Sequence, residues 1–179
     1  MREKGLPILL ILAWLVLPSV AQRHADLTPA EIDQLRDTAM EPDQRLKFFV
    51  KFARERIDQL QLVRTDPKIN AADRPAETHK RLQDFVDVYD ELDENIDTYM
   101  DRKSDIRKAL KTIIEADTEF QSKLKALREG LRAAKEDTKS YEFVLSNAID
   151  AVNGGATEHR KLLDEQEEMA KHKKKKKTD

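Results

Sequence analysis

The sequence predicts an all-α fold: an elongated helical bundle or coiled coil with one long heptad-patterned segment over about 76–152 and no β-sheet. Three observations carry this. Residues 76–179 contain no Pro and three Gly, at 130, 154 and 155, so turn chemistry is scarce over 104 residues. The same stretch is rich in Lys, Glu, Leu, Ala, Arg and Gln, which favour helix. Apolar residues recur there with a period of 3.5, and period-two alternation with β-branched residues is not sustained in any window.

The first 21 residues read as an address. Arg2 and Lys4 precede a twelve-residue apolar run, 6–17, then Pro18 and the small-residue site Ser19-Val20-Ala21. This is the layout of a secretory signal peptide cleaved after Ala21. A membrane anchor is the competing reading, but a span needs about 20 apolar residues and this run is shorter. The expected product is an exported chain, periplasmic or extracellular, with a helical domain over 22–170 and a disordered lysine-rich tail over 171–179. The chain has no Cys. That excludes disulfides, thiolate metal sites, a thiol nucleophile and a lipoprotein anchor.

The helices follow in order. Thr28-Pro29-Ala30-Glu31 gives an N-cap, a Pro at N1 and an acid at N3, which is a capping box, with Leu27 placed to staple Ile32. This helix should run to about Ala39. Pro42 restarts a second helix near Asp43, with Leu46, Phe49, Val50, Ala53, Ile57 and Leu60 on one face. Residues 64–75 (RTDPKINAADRP) read as a loop.

Beyond it, steps of three and four from Leu82 reach Phe85, Tyr89, Leu92, Ile96, Tyr99, Lys103, Ile106, Leu110, Ile113, Asp117, Phe120, Leu124, Leu127, Leu131, Ala134, Thr138, Tyr141, Leu145, Ala148 and Val152. Only Lys103, Asp117 and Thr138 among these 21 positions are neither apolar nor aromatic. A stripe of this period faces a partner helix and implies left-handed supercoiling. Its apolar members are the expected helix-association seam. Unbroken phase favours one helix over about 76–134, roughly 90 Å long, over a hairpin at 101–104 with Ser104 as N-cap. Residues 136–140 are a second soft point, and Asn153-Gly154-Gly155 reads as a helix stop before a last helix over about 156–170. The seam must be covered, either by closing a four-helix-type bundle or by a second subunit.

Motifs for catalysis are missing. Ala stands three residues before both His79 and His159, so the Glu-x-x-His pairs of di-iron bundles are absent. There is no Gly-x-Ser-x-Gly elbow and no His-Glu-x-x-His. His159 falls on the extended heptad phase, where a lone histidine is more often structural than a ligand. No catalytic residue, cofactor or metal ligand is therefore expected, and the chain reads as non-enzymatic. A hydrolase whose site leaves no motif is the remote alternative.

Two charge features remain. Asp84, Asp87, Asp90, Glu91, Asp93, Glu94, Asp97 and Asp101 fall mostly opposite the seam, as a solvated outer face would. The tail holds Lys171, Lys173, Lys174, Lys175, Lys176 and Lys177. Residues 22–170 carry 25 Lys plus Arg against 33 Asp plus Glu, a charge of −8, while 171–179 carry +5. These lysines are the candidate contact for an anionic envelope surface or client. Nucleic acid is not an expected partner, since the body is acidic and no aromatics interleave the lysines. The expected function is helix-mediated association in the cell envelope, with itself or another helical protein. An envelope-binding or chaperone-like role through the tail is the alternative.

Overall fold

A computed structural model describes residues 25–178, with side chains through His172. The signal-peptide reading of 1–21 lies outside them. Five α-helices make up the described chain: α1 (Pro29–Asp37), α2 (Pro42–Thr65), α3 (Arg74–Asp101), α4 (Arg107–Ala133) and α5 (Glu142–Thr178). No strand occurs among the described residues. No described helix is long and apolar enough to cross a membrane.

The capping box at α1 forms as the sequence predicts: Thr28 Oγ1 accepts from the Glu31 amide, and Glu31 accepts from the Thr28 amide. The same Glu31 carboxylate takes two hydrogen bonds from the Arg56 guanidinium of α2, at 2.8 and 2.9 Å. Both side chains are buried. Burial opposes ionisation of Glu31, yet Arg56 and the Thr28 amide hold its carboxyl below the usual range. One acid thus caps α1 and fixes it to α2.

The other four helices form a bundle. α2 packs beside α3 and α4, and α5 also packs beside α3 and α4, so the order around the bundle is α2–α3–α5–α4. Cross-helix pairs give the directions. Asp43 meets the Ala109 amide and Arg64 meets Glu136, so α2 and α4 run parallel. His79 meets Ser140 and Met100 meets Gln166, so α3 and α5 run parallel. The α3–α4 connection crosses a diagonal of the bundle.

The long helix favoured by the unbroken heptad phase is not formed. α3 ends at Asp101, and α4 begins at Arg107. The break is a Schellman motif: the Lys103 amide donates to Met100 O, the Ser104 amide donates to Tyr99 O, and Lys103 sits in the left-handed region at φ 56°. α4 ends the same way, with Lys135 at φ 51°. Ser104 is not the cap of α4. Ile106 holds that position, and the Asp43 carboxylate reaches across from α2 to accept from the Ala109 amide at 3.0 Å. Phase survives both breaks because the residues on either side of each turn face one shared core.

Asn153-Gly154-Gly155 is not a stop either, since α5 runs through it without interruption. Neither glycine has positive φ. A Cβ on Gly155 would lie 2.3 Å from the Tyr89 hydroxyl. The glycine makes room for a tyrosine lying against the helix backbone, so its role is lateral space. α5 also continues through 171–178, where the sequence suggested disorder. Lysines there suit the negative end of the helix dipole.

The seam residues are buried in this arrangement: Leu82, Phe85, Tyr89, Leu92, Ile96 and Tyr99 from α3; Ile106, Leu110, Ile113, Phe120, Leu124 and Leu131 on and just before α4; Tyr141, Leu145 and Val152 on and just before α5. Leu127 is partly buried against the same core. The face closes as a bundle within one chain.

Candidate functional site

Three features of the folded chain are candidates for function. The first is a polar cluster in the core, built by α3, α4 and α5. Asp117, one of the three polar positions in the seam, is fully buried. Its Oδ1 accepts from the Tyr89 hydroxyl at 2.7 Å, and its Oδ2 faces His159 Nδ1 at 2.9 Å. His159 Nε2 faces Asp93 Oδ1 at 3.0 Å. Both ring nitrogens therefore meet carboxyl oxygens, an arrangement the imidazolium satisfies by donating twice. Burial opposes that charge, but the hydrogen bonds and charges of Asp117 and Asp93 overcome it and raise the His159 pKa to about 9. Burial, and then the Asp117 charge, push the Tyr89 phenol well above its usual value. Burial also raises Asp93, against the pull of His159.

The residues of this cluster are types that do acid–base chemistry, but their placement suits another task. His159 is 2% exposed and Asp117 and Tyr89 are 0% exposed. Asp93, at the outer end, is half-buried. No reacting atom can reach Nδ1 of His159 or either oxygen of Asp117 without opening the bundle. The cluster ties three helices at one level. Among the described residues, no group of three or more His, Cys, Asp or Glu is placed to hold a metal ion.

The second feature is a groove of about 800 Å³ between the C-terminal halves of α2 and α4. Its apolar lining is Ile57, Leu60 and Leu62 from α2 and Leu124, Ala126, Leu127 and Leu131 from α4. A series of polar contacts runs along the α2/α4 boundary. Going along α2, Asp43 binds the Ala109 amide, Arg54 binds Glu119, Asp58 binds Lys123, and Arg64 binds Glu136. The last of these is a two-pronged pair, joined by the Tyr141 hydroxyl at 2.6 Å. Chiefly through the Arg64 hydrogen bonds, the Glu136 carboxyl drops to about 2. The groove lies between the Asp58 and Arg64 contacts, floored by the buried Ile57, Leu60, Leu124 and Leu131, with Leu62, Ala126 and Leu127 more open to solvent. Leu62 is 64% exposed at its lip. Gly130 also lines it, and a Cβ there would have nothing within 4 Å.

The third feature is the far end of α5. Gln166 marks the level at which its neighbours stop: its amide donates to Ser104 O at 2.8 Å and accepts from the Ile106 amide at 3.0 Å. Past it, Met169 and Ala170 flank a cleft of about 520 Å³ shared with Met100 and the α3–α4 connection. Lys171 and His172 are exposed, and the helix continues to Thr178. Lys173, Lys174, Lys175, Lys176 and Lys177 lie on that last stretch.

The structure thus turns the predicted seam inward and keeps the predicted tail at one pole. It also shows features that the sequence reading missed. Asp93 belongs to the acidic stretch read as solvated, yet it pairs with a core histidine. The groove has no sequence signature, because its leucines share the pattern of core positions. Asp117 and His159 did leave a signal: both fall on the seam phase, where charge has to be explained. No protein-family model, curated protein or solved structure matches the chain.

Proposed function

We propose that this is a non-enzymatic helical binding protein which takes an amphipathic helix of another polypeptide into the α2/α4 groove. The observation that supports this is the groove of about 800 Å³ between α2 and α4, lined by aliphatic side chains of which Leu62, Ala126 and Leu127 are open or partly open to solvent. The groove spans residues 57–65 of α2. That is about 12 Å, or two turns, at the helical rise. A helix with apolar residues at i, i+3, i+4 and i+7 presents a stripe of that length. The Asp58–Lys123 pair on one side and the Arg64–Glu136 pair at the far end supply a polar rim. The N-terminal signal expected from the sequence would place this binding outside the cytoplasm, and the partner is a second copy or another helical protein.

Gly130→Leu tests the reading. The added side chain has open space at its Cβ and fills the groove. It also replaces glycine inside a helix, which favours the fold by about 0.5–1 kcal/mol. The measurement is fluorescence anisotropy of a labelled synthetic helix with leucines at i, i+3, i+4 and i+7, alongside light scattering. Weakening of at least about tenfold, roughly 1.4 kcal/mol, with an unchanged or raised melting temperature, is the expected result. Equal peptide binding by both proteins would sink the proposal. Loss of a scattering dimer in the variant would identify the partner as a second copy.

A further inference from the structure

α5 is longer than the bundle it belongs to. It runs parallel to α3, with Gln166 beside Met100, yet α3 ends at Asp101. α4, running the other way, starts at Arg107, and Lys111 already reaches Glu167. From Lys171 to Thr178 the helix has passed both neighbours, a further stretch of about 12 Å. Residues 171–178 hold six Lys and no acid. Beside the base of this projection, the α3–α4 turn adds Arg102, Lys103 and Lys108, all exposed. No ion pair involves these three among the described residues. Acids are present at the base of this pole, where Glu168 pairs with Lys171 and Asp105 with Arg107, but over 100–108 and 164–178 the ten Lys and Arg exceed the six Asp and Glu, against an acidic body.

We propose that this pole docks on anionic lipid headgroups and stands the bundle on a membrane surface by its α5 end. The shape favours a plane over a strand. A flat surface meets the tip alone, whereas an extended polyanion would also lie along the acidic flank of α3. The side chains beside the lysines point the same way. Met169 is half-exposed next to Met100 in the cleft at the base of the projection. Thioether side chains of this kind suit the boundary between headgroups and acyl chains. Base stacking is strongest on Phe, Tyr and Trp, and residues 100–108 and 164–179 contain none of these. This inference stands apart from the α2/α4 groove, which lies toward the opposite end of the bundle.

The test uses the full chain in vesicle flotation, with phosphatidylglycerol vesicles compared against phosphatidylcholine alone. Binding to neutral vesicles sets the baseline for the apolar run 6–17, so the anionic increment reports the pole. Each Lys at such a surface contributes about fivefold. Replacing Lys173, Lys174 and Lys175 with Gln should therefore cut the increment by about a hundredfold. Added salt should shrink it in the intact chain. Arg102→Gln with Lys103→Gln should cut it further, while circular dichroism shows the helices unchanged. An increment that survives the tail substitutions overturns the proposal. So does duplex DNA that binds as tightly as the vesicles with the same dependence on these lysines.

Discussion

Replacing His159 tests how the core is held. The ring is 2% exposed and lies between Asp117 at 2.9 Å and Asp93 at 3.0 Å. Its folded pKa is raised to about 9, against roughly 6.5 for an unfolded histidine. The folded chain thus holds a proton that the unfolded chain has released over the interval between them. A raised pKa of this kind contributes stability that is complete below about pH 6.5 and is lost as pH climbs through about 9. Integrated over that interval, the contribution is on the order of 3 kcal/mol. For a chain of this size it corresponds to a melting shift of roughly 10 °C. Asp90 sits on the same stretch of α3, and burial followed by the charges of Asp93, Asp87 and Glu94 raises it to about 6. It titrates below the histidine window and does not blur it.

The assay is urea unfolding of the wild type and His159→Gln across this pH range. Gln keeps a donor for one carboxylate and has no proton to lose. The wild type should lose on the order of 3 kcal/mol relative to the variant as pH rises from 6.5 to above 9, and the variant should start less stable by a similar amount. An NMR titration of the ring should show its midpoint near 9. Parallel stability curves for the two proteins, or a ring that titrates near 6.5, would refute the claim that the cluster holds an imidazolium.

Two further predictions concern the backbone. Gly155→Ala puts a Cβ 2.3 Å from the hydroxyl of Tyr89, which is fixed by its bond to Asp117. Overpacking of this kind costs about 1–3 kcal/mol, so the melting temperature should fall, whereas Gly154→Ala, with open space, should add up to about 1 kcal/mol of stability and raise it. If both alanines stabilise, Tyr89 does not lie against α5. Lys103→Gly and Lys135→Gly relieve the left-handed positions at φ 56° and 51°. Each should gain about 0.5–1 kcal/mol in chemical denaturation, and a loss at either site would mean the Schellman turn is absent there.

The sequence made the helical class and most of the core readable, because burial leaves a periodic trace. The start of α1 was readable because Thr28, Pro29 and Glu31 each answer a specific backbone need. The break after Asp101 was legible only as the weaker alternative to one long helix, because its left-handed residue is a lysine and no composition rule marks a lysine as a helix stop. Gly154 and Gly155 misled for the converse reason. A glycine pair signals conformational freedom in a sequence, whereas Gly155 supplies an absence of volume beside Tyr89. Yet the interruptions of the seam were informative. Lys103 is the turn residue after α3, and Thr138 lies in the α4–α5 connection, where its hydroxyl meets Glu142 at 2.6 Å. Asp117 is the center of the buried cluster. Two of three interruptions marked chain reversals and the third marked core polarity, a distinction that needs the partner residues and so the fold.

A stripe of leucines repeating every 3.5 residues can pair in several registers, since one heptad looks much like the next. The polar groups in this core remove that freedom. Sliding α5 by one heptad would carry His159 about 10 Å along the bundle, leaving Asp117 buried without a cation and the Tyr89 hydroxyl against a different stretch of helix. Exposing or stranding such groups costs several kcal/mol, more than a shifted stripe of aliphatic contacts could recover. Gln166 repeats the device one level further along, by bonding the Ser104 carbonyl and the Ile106 amide at the diagonal turn. It shares the heptad phase of Asp117 and His159. With register set from inside and the seam closed on itself, α2 and α4 are positioned by their own ladder of charges. The apolar surface left over lies between the Asp58–Lys123 and Arg64–Glu136 pairs, where Leu62 and Leu127 are not covered by a further helix.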